Sequence, residues 1–170
     1  MAPDTFIQSV SPSGSRVSST DLAITFGSDQ VNVSYGCSLD GAPLESCASP
    51  KLYSNLSNGT HHFAVAAKST TNLSDPTPAN YDWTVDTTPP NVTITNAASL
   101  RTLTNLGSIS VEFTSDDAAT YQCVIDGGAA AGCDSPVQYA GLAEGSHRIA
   151  IYGVDSVGNR SANTASFQWT

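Results

Sequence analysis

An internal repeat constrains the fold of this chain more than any other feature. When the sequence is shifted by 86 positions, residues 35–84 align with residues 121–170 without a gap, and 15 of the 50 aligned residues are identical. Upstream of this block the offset becomes 87, so one residue has been gained or lost in the turn at residues 27–30. Two similar units of about 85 residues therefore follow one another, which is typical of modular arrays.

The identical positions are cysteines, turn residues, and large aromatic or aliphatic side chains. Because a residue present in both units serves what the units share, we expect these positions to serve the common fold. A residue found in one unit only points to a specific role or to none. The identities used below are Tyr35/Tyr121, Cys37/Cys123, Asp40/Asp126, Gly41/Gly127, Cys47/Cys133, Gly59/Gly145, His61/His147 and Trp83/Trp169.

The repeat also predicts the domain boundaries. The first domain spans residues 1–86 and the second spans 87–170, with a linker around 85–90 that contains a Pro-Pro pair. Such a pair favours an extended, stiff connection. The second unit stops at Thr170, where the first continues into Val85-Asp86. We therefore expect an excerpt from a longer array, whose neighbouring repeats are its first partners.

Hydrophobic residues alternate with polar ones along most of the chain, and the spacing of an amphipathic helix is absent. Leu22, Ile24 and Phe26 are one example, and Ile149 with Ile151 is another. Clusters of Gly, Pro, Asn and Asp separate these runs at intervals of about 8–12 residues, which indicates short strands. The sequence predicts an all-β fold of two antiparallel β-sandwiches with about seven strands each.

Each unit contains one Cys-x9-Cys pair, Cys37 with Cys47 and Cys123 with Cys133. Four cysteines allow three pairings, and only pairing inside each unit gives both units the same covalent structure. An Asp-Gly turn inside each loop would bring the two cysteines face to face. The alternative is a metal site or free thiols, but zinc sites use closer pairs. The pattern favours two hairpin disulfides and a secreted or cell-surface location.

Composition excludes several classes of function. The chain carries 15 acidic against 6 scattered basic residues, with a formal net charge of −9, which excludes an electrostatic nucleic-acid binder. No apolar run approaches the roughly 18–20 residues of a membrane span, so membrane insertion is not expected. The Gly-x-Ser-x-Gly motif of serine hydrolases is missing. We therefore expect a protein that is not an enzyme.

Taken together, the motifs resemble the tandem immunoglobulin-like repeats of large bacterial extracellular proteins. The shared features are the aromatic-x-Cys strand, the Asp-Gly turn, Ser-Pro after the second cysteine, Gly-x-His, a late Trp, and Val-Asp-x-x-Pro-Pro. The resemblance covers nearly the whole chain. It departs at residues 68–74 of the first unit, where the second unit has Asp-x-x-Gly-Asn at residues 155–159. It implies two tandem immunoglobulin-like sandwiches without catalytic residues.

The resemblance also implies a function. It predicts a structural or spacer module of a fibre or adhesin-type protein, secreted or displayed on a bacterial surface. The alternative is an adhesive module that binds a surface glycan or protein through loops or an exposed sheet face. Tyr152 with Arg148 is the candidate for such a site, because strand alternation places both opposite Ile149 and Ile151, and the first unit has Ala66 in place of the tyrosine. The alternative role of Tyr152 is cross-strand packing.

Acidic residues near loops form a second candidate site. Asp116, Asp117 and Asp155, with Asp86 at the joint, could supply carboxylate oxygens to calcium, and no other cofactor is predicted. The alternative is that Asp155 caps its own turn by accepting backbone N–H groups.

The histidines suggest a structural role. His61 and His147 occupy equivalent positions after a glycine, and we expect each ring to bond to the backbone of a turn. His61 and His62 are adjacent on a strand and point to opposite faces, so they cannot chelate one ion together.

Overall fold

The computed structural model describes residues 1–100, 107–162 and 164–170 of the chain. Regular structure in these ranges is β-strand throughout, arranged as two compact units, Met1–Thr87 and Thr88–Thr170. Each unit is a β-sandwich with its own core, which confirms the predicted fold class. Among the residues that the structure describes, no helix has the length and apolar character to cross a membrane.

The first unit has eight strands in two sheets. One sheet has the order β1-β3-β6 and is antiparallel; the other has the order β2-β8-β7-β4-β5, in which β2 and β8 run parallel. The short strand β2 makes the count one higher than the sequence predicts. The strands are β1 (Thr5–Ser11), β2 (Arg16–Val17), β3 (Leu22–Ser28), β4 (Ser34–Leu39), β5 (Glu45–Cys47), β6 (Lys51–Tyr53), β7 (Gly59–Lys68) and β8 (Ala79–Val85).

The described part of the second unit also has eight strands. Four of them form a sheet in the order β13-β12-β15-β16, while β9 pairs with β11 and β10 pairs with β14. This pairing repeats the register of the first unit. The strands are β9 (Val92–Ile94), β10 (Ser108–Val111), β11 (Phe113–Ser115), β12 (Thr120–Ile125), β13 (Ala131–Gly132), β14 (Val137–Ala140), β15 (His147–Val154) and β16 (Ala165–Trp169).

Strands β10 and β11 together correspond to β3, which is continuous in the first unit. The interruption lies at Glu112, whose backbone N–H donates to Asn96 Oδ1 (3.0 Å) while Asn96 Nδ2 donates to the carbonyl of Ser110 (3.1 Å). A side chain thus takes hydrogen bonds that the strand ladder would otherwise make. The first unit has only an irregularity at the matching place, between Ile7 and Ser9.

Each core is built from the inward-facing residues that alternation predicts. Ile24, Phe63 and Val65 are fully buried in the first unit, and Ile149 and Ile151 are fully buried in the second. The two repeated tryptophans are also buried, as the sequence predicts, with 1% exposure for the first and 2% for the second; they are Trp83 and Trp169. Because no covalent bond joins the two sheets of a unit, this packing holds them together.

The disulfides join Cys37 to Cys47 and Cys123 to Cys133, which confirms the predicted pairing. The paired Cα atoms are 5.8 Å and 5.9 Å apart. In each hairpin the Asp-Gly pair adopts positive φ at both residues, 52° and 77° in the first unit and 51° and 72° in the second. These angles belong to the tight turn that suits a two-residue hairpin connection. Each disulfide therefore fastens a hairpin at the edge of the larger sheet.

Candidate functional site

Asp155 closes the turn that follows β15. Its Oδ1 accepts hydrogen bonds from the backbone N–H of Val157 (2.9 Å) and of Asn159 (2.8 Å), and its Oδ2 accepts one from Asn159 Nδ2 (2.7 Å). Burial by itself would raise the pKa of this carboxyl, but the donated hydrogen bonds outweigh burial and hold the pKa below its ordinary value. The alternative prediction for Asp155, a turn cap, is confirmed.

Ser69 caps the matching turn in the first unit, where the aspartate is missing. Its Oγ accepts a hydrogen bond from the backbone N–H of Leu73 (3.1 Å). The turn is closed between backbone atoms in both units, from Ser69 N to Leu73 O (2.9 Å) and from Asp155 N to Asn159 O (3.0 Å). The first unit therefore keeps the turn although its sequence departs from the motif there.

Asp116 is a turn residue as well. Its Oδ1 accepts the backbone N–H of Asn91 at 2.8 Å, in the way that Asp29 Oδ1 accepts the backbone N–H of Asp4 at 2.8 Å in the first unit. Hydrogen bonds to the carboxylate, with Asn91 foremost, lower the pKa of Asp116. Because both units have this contact, it belongs to the common fold.

The other two calcium candidates lie in different units. Asp86 is buried in the first unit, and its Oδ2 accepts a charge-assisted hydrogen bond from Arg16 Nη2 at 2.6 Å. In the second unit, a carboxylate oxygen of Asp117 lies within 4.8 Å of one of Asp155. Calcium takes 6–8 oxygen ligands, so calcium binding by these residues stays a prediction of the sequence.

A bridge between an aspartate and a histidine occurs in both units. His61 Nδ1 lies 2.8 Å from Asp40 Oδ2, and His61 Nε2 lies 2.8 Å from the carbonyl oxygen of Ser57. The other carboxylate oxygen, Asp40 Oδ1, accepts the backbone N–H of His62 (2.9 Å). We call this arrangement the Asp–His clasp; it ties the hairpin turn after β4 to the loop before β7.

The second unit repeats the clasp atom for atom. His147 Nδ1 lies 2.7 Å from Asp126 Oδ2, His147 Nε2 lies 2.9 Å from the carbonyl oxygen of Ala143, and Asp126 Oδ1 accepts the backbone N–H of Arg148 (2.7 Å). The expected bond from each histidine ring to a turn carbonyl is therefore confirmed. The aspartate half of the clasp is not evident from sequence reasoning, although both aspartates are among the repeated identities.

The clasp favours a doubly protonated ring, because both ring nitrogens face oxygen atoms that only accept. Burial would lower the pKa of His61, but the Ser57 carbonyl and Asp40 outweigh it and raise the pKa; the Ala143 carbonyl, followed by Asp126, raises that of His147. With both nitrogens engaged, neither ring offers a free lone pair as a general base.

Tyr152 lies on the outer face of β15, as predicted, and has an unpredicted partner. The guanidinium carbon of Arg160 lies over its ring, 3.9 Å from the centroid, a cation–π contact. Arg148 is exposed on the same face four residues away. Arg160 follows the turn capped by Asp155, so the sequence gives no periodic signal for this contact.

The outer face of the sheet β13-β12-β15-β16 presents a row of polar residues. Gln122 is the cross-strand partner of Tyr152, Gln168 is the partner of Arg148, and Ser166 pairs with Ala150 between them. We call this surface the outer arginine face; its members are Gln122, Val124, Arg148, Ala150, Tyr152, Arg160, Ser166 and Gln168. The residues at the matching positions of the first unit are Gly36, Ser38, His62, Ala64, Ala66, Ser74, Asn80 and Asp82.

An open pocket of about 460 Å³ lies at one end of the sheet β1-β3-β6 in the first unit. Leu52, Ser19 and Asp21 are among its lining residues. The polar groups are used locally: Ser19 Oγ donates to the carbonyl of Asp21 (2.9 Å), and Asp21 Oδ1 accepts the backbone N–H of Asn55 (3.3 Å). These contacts shape two turns, and they account for the pocket without a ligand.

No family model matches the chain, and no curated protein matches its sequence. Solved structures do share its fold. A structure of a 1.5-MDa bacterial ice-binding adhesin is 14% identical with a TM-score of 0.50, covering 100% of this chain and 64% of that chain. This chain therefore spans less than two thirds of that structure.

Two further structures align with lower TM-scores. Fibronectin(III)-like modules of CbhA from Clostridium thermocellum are 19% identical with a TM-score of 0.43, covering 97% of this chain and 92% of that one. The Bacteroides ovatus protein SGBP-B, in complex with a mixed-linkage heptasaccharide, is 14% identical with a TM-score of 0.36, covering 98% and 47%. The fold defines the class of this protein: tandem β-sandwich modules, each with one disulfide.

Proposed function

We propose that this chain is a non-catalytic structural module that spaces other parts of a secreted or surface-displayed protein. The observation that carries the proposal is the repetition of the same stabilising devices in both units. Each unit has one hairpin disulfide and one Asp–His clasp in the same register. Devices that recur while outward residues differ serve the integrity of each unit rather than a ligand.

The disulfides support the location. They persist in oxidising compartments such as the periplasm or the cell exterior. The likeness of fold to a bacterial adhesin is compatible with a surface-protein module, with neighbouring repeats of a longer chain as its partners.

Single-molecule stretching of the whole chain tests the spacer function. We expect two separate unfolding steps, one for each unit. While a disulfide is intact, the loop between its two cysteines, which have a sequence separation of 10 residues, cannot extend under force. The freed loop extends by about 3.3–3.6 Å per residue, less the 5.8 Å or 5.9 Å that the paired Cα atoms already span, so reduction should lengthen each step by about 27–30 Å. A single merged step, or extension without a measurable force peak, would contradict a load-bearing spacer.

The second candidate function is an adhesive module. The contact between Arg160 and Tyr152 favours it, because the first unit has Ser74 and Ala66 at these positions. A screen of the labelled protein against surface glycans and proteins tests this role, with Tyr152→Ala as the variant. We expect Tyr152→Ala to lose binding at an unchanged melting temperature; binding that survives the substitution removes Tyr152 from the site.

A further inference from the structure

We propose that the outer arginine face of the second unit binds an acidic polysaccharide, one whose sugars carry carboxylate or sulfate groups. This inference rests on the adhesive role given above as the second candidate function. Three features of the face support this ligand: its charge, the arginine over its aromatic ring, and its difference from the first unit.

The charge of the face has the opposite sign to the charge of the protein. Arg148 lies at one end of the face on β15, and Arg160, which follows the next turn, covers Tyr152 at the other end, in a chain with a formal net charge of −9. Besides Arg148 and Tyr152, the strand positions of the face that the structure describes carry amide, hydroxyl, alanine and valine side chains and no carboxylate. The carboxylate that bonds to the backbone of Arg148 belongs to Asp126, and the His147 ring already engages it.

The two guanidiniums suit an extended anionic ligand. Arg148 and Tyr152 are four residues apart on one strand, which corresponds to about 13 Å along the sheet. The ring of Tyr152 holds the Arg160 guanidinium at 3.9 Å, so this cation is already oriented before a ligand arrives. Guanidinium groups bind carboxylate and sulfate-like oxygens through paired hydrogen bonds. Between the two ends the face carries Ala150, whose cross-strand partners are Val124 and Ser166.

The aromatic side chain of the face, Tyr152, already has the Arg160 guanidinium over its ring, so that side of the ring is not open as an apolar anchor for a protein partner. Among the described residues, the exposed large hydrophobic side chains all belong to the first unit: Met1, Phe6, Val31, Leu44, Leu52 and Leu73. A surface of arginine, glutamine, serine and one tyrosine fits a hydroxylated, charged polymer better than a protein.

The first unit lacks the features that define the face. At the positions of Arg160, Tyr152 and Gln168 it has Ser74, Ala66 and Asp82. His62 at the position of Arg148 bonds through Nδ1 to Asp82 Oδ1 at 2.5 Å, which ties its ring to a carboxylate. The two units share a fold and differ on this face, so the first unit is an internal reference for the second.

The test compares retention of the full-length chain on dextran sulfate with retention on uncharged dextran, and on polygalacturonate with its methyl-esterified form. We expect retention on the charged polymers only, and weaker retention when salt is raised, since exposed charges are screened. Arg148→Gln and Arg160→Gln should each weaken binding by about three- to tenfold, the loss of one charge-assisted contact.

Lys68→Gln is the matched control, because it removes one positive charge from the first unit and leaves the outer arginine face intact. We expect it to bind like the unchanged protein. A loss equal to that of Arg148→Gln would mean that only the overall charge matters and would overturn the proposal. All variants are compared at melting temperatures equal to that of the parent chain, so that misfolding is not mistaken for lost binding.

Other outcomes separate this inference from the function on which it rests. If neutral dextran binds equally and Tyr152→Ala removes that binding, the adhesive role stands and the acidic ligand is wrong. If Arg148→Gln abolishes self-association seen by sedimentation, the occupant is a second copy and the polysaccharide is wrong. If no glycan or protein is retained, both the inference and the adhesive role fail, and the spacer function remains.

Discussion

A histidine ring whose two nitrogens both face oxygen acceptors is stabilised in its imidazolium form, which raises its pKa. Asp40 with the Ser57 carbonyl does this for His61, and the second unit repeats the arrangement at His147. The ring of His61 also packs against Trp83, with centroids 5.4 Å apart. The protonated ring of His61 therefore contacts both Asp40 in the hairpin turn and Trp83 in the core.

The clasps predict how stability depends on pH. The pKa of His61 and of His147 is raised above the ordinary value of 6.5. Their contribution to stability is therefore fully present below about pH 6.5 and is lost as the pH rises through the raised folded-state pKa. We expect the melting temperature to fall over that alkaline range. The measurement is thermal unfolding followed by circular dichroism at a series of pH values.

The aspartates set the opposite limit. The pKa of Asp40 is lowered by the His62 N–H and the His61 ring, which together outweigh burial, and the pKa of Asp126 is lowered chiefly by the His147 ring. Their contribution is present above the ordinary value of 3.8 and is lost as the pH falls through the lowered folded-state pKa. The clasps therefore stabilise most between these two limits.

The control for the pH prediction is a residue that does not titrate. His61→Gln with His147→Gln should flatten the alkaline fall, whereas Ser156→Ala, an exposed position outside the clasps, should leave it in place. A double variant that keeps the full alkaline fall would show that the clasps are not its source.

Gly153 gives a prediction from close packing. A Cβ built at this position would lie 2.9 Å from the Cβ of Ala118 and 3.0 Å from Val92 Cγ2. Gly153→Ala should therefore destabilise the second unit by about 1–3 kcal/mol, as overpacked cores do. Gly132→Ala is the matched control, because a Cβ there meets nothing within 4 Å. Urea denaturation of both variants checks this, and equal stability for the two would refute the packing argument.

The residues that are identical in both units predict the core and the disulfides better than they predict which side chains contact each other. The repeated tryptophans and cysteines lead directly to the core and the disulfides. The repeated Asp40 and His61 are equally visible, but their side chains come within 2.8 Å only because the hairpin turn after β4 lies beside the start of β7, which spacing alone does not reveal. The place of Arg160 over Tyr152 depends on the path of a turn, so the sequence does not show it.

At the scale of elements, the turn after β7 and the turn after β15 show how different residues produce one conformation. Asp155 caps with a carboxylate that accepts two backbone N–H groups, while Ser69 caps with a hydroxyl that accepts one. A comparison of the two sequences therefore marks this loop as a departure from the repeat, although both units keep the same turn conformation.

Removing the carboxylate at this turn should destabilise the second unit. Asp155→Ala leaves the N–H groups of Val157 and Asn159 without their acceptor, a cost of about 1–3 kcal/mol. Asp155→Ser should recover part of the loss, since Ser69 caps the matching turn. Ser156→Ala, an exposed neighbour, is the control. Guanidinium denaturation measures all three, and an Asp155→Ala variant as stable as the control would disprove the capping role.

Strands were the easiest elements to predict, and their interruptions the hardest. Period-two alternation locates β3, and the repeat places Val111 and Phe113 at the matching inward positions. The break at Glu112 follows from the side chain of Asn96 replacing ladder hydrogen bonds. A polar residue on an edge strand has many possible partners, so this competition cannot be read from the pattern alone.

At the scale of the whole molecule, each unit owns a complete core and its own disulfide. We expect residues 1–87 and 88–170 to fold when each is produced alone, because the buried clusters lie within one unit or the other. The amide spectrum of each isolated unit measured by NMR should overlay that unit's signals in the full chain, apart from residues next to the cut. A collapsed, poorly dispersed spectrum for either unit would show that its core is incomplete.

The doubly bonded histidine rings also change the charge balance of the protein. The formal charge of −9 counts every histidine as neutral, and the raised pKa of His61 and of His147 makes the folded protein less negative wherever these rings are protonated. Unfolding just above pH 6.5 returns each ring to its ordinary pKa and releases protons into the buffer. The unfolding enthalpy measured by calorimetry will therefore differ between an amine buffer and phosphate, by the heat of ionising the buffer. Each unit that unfolds just above pH 6.5 therefore acidifies its solution slightly.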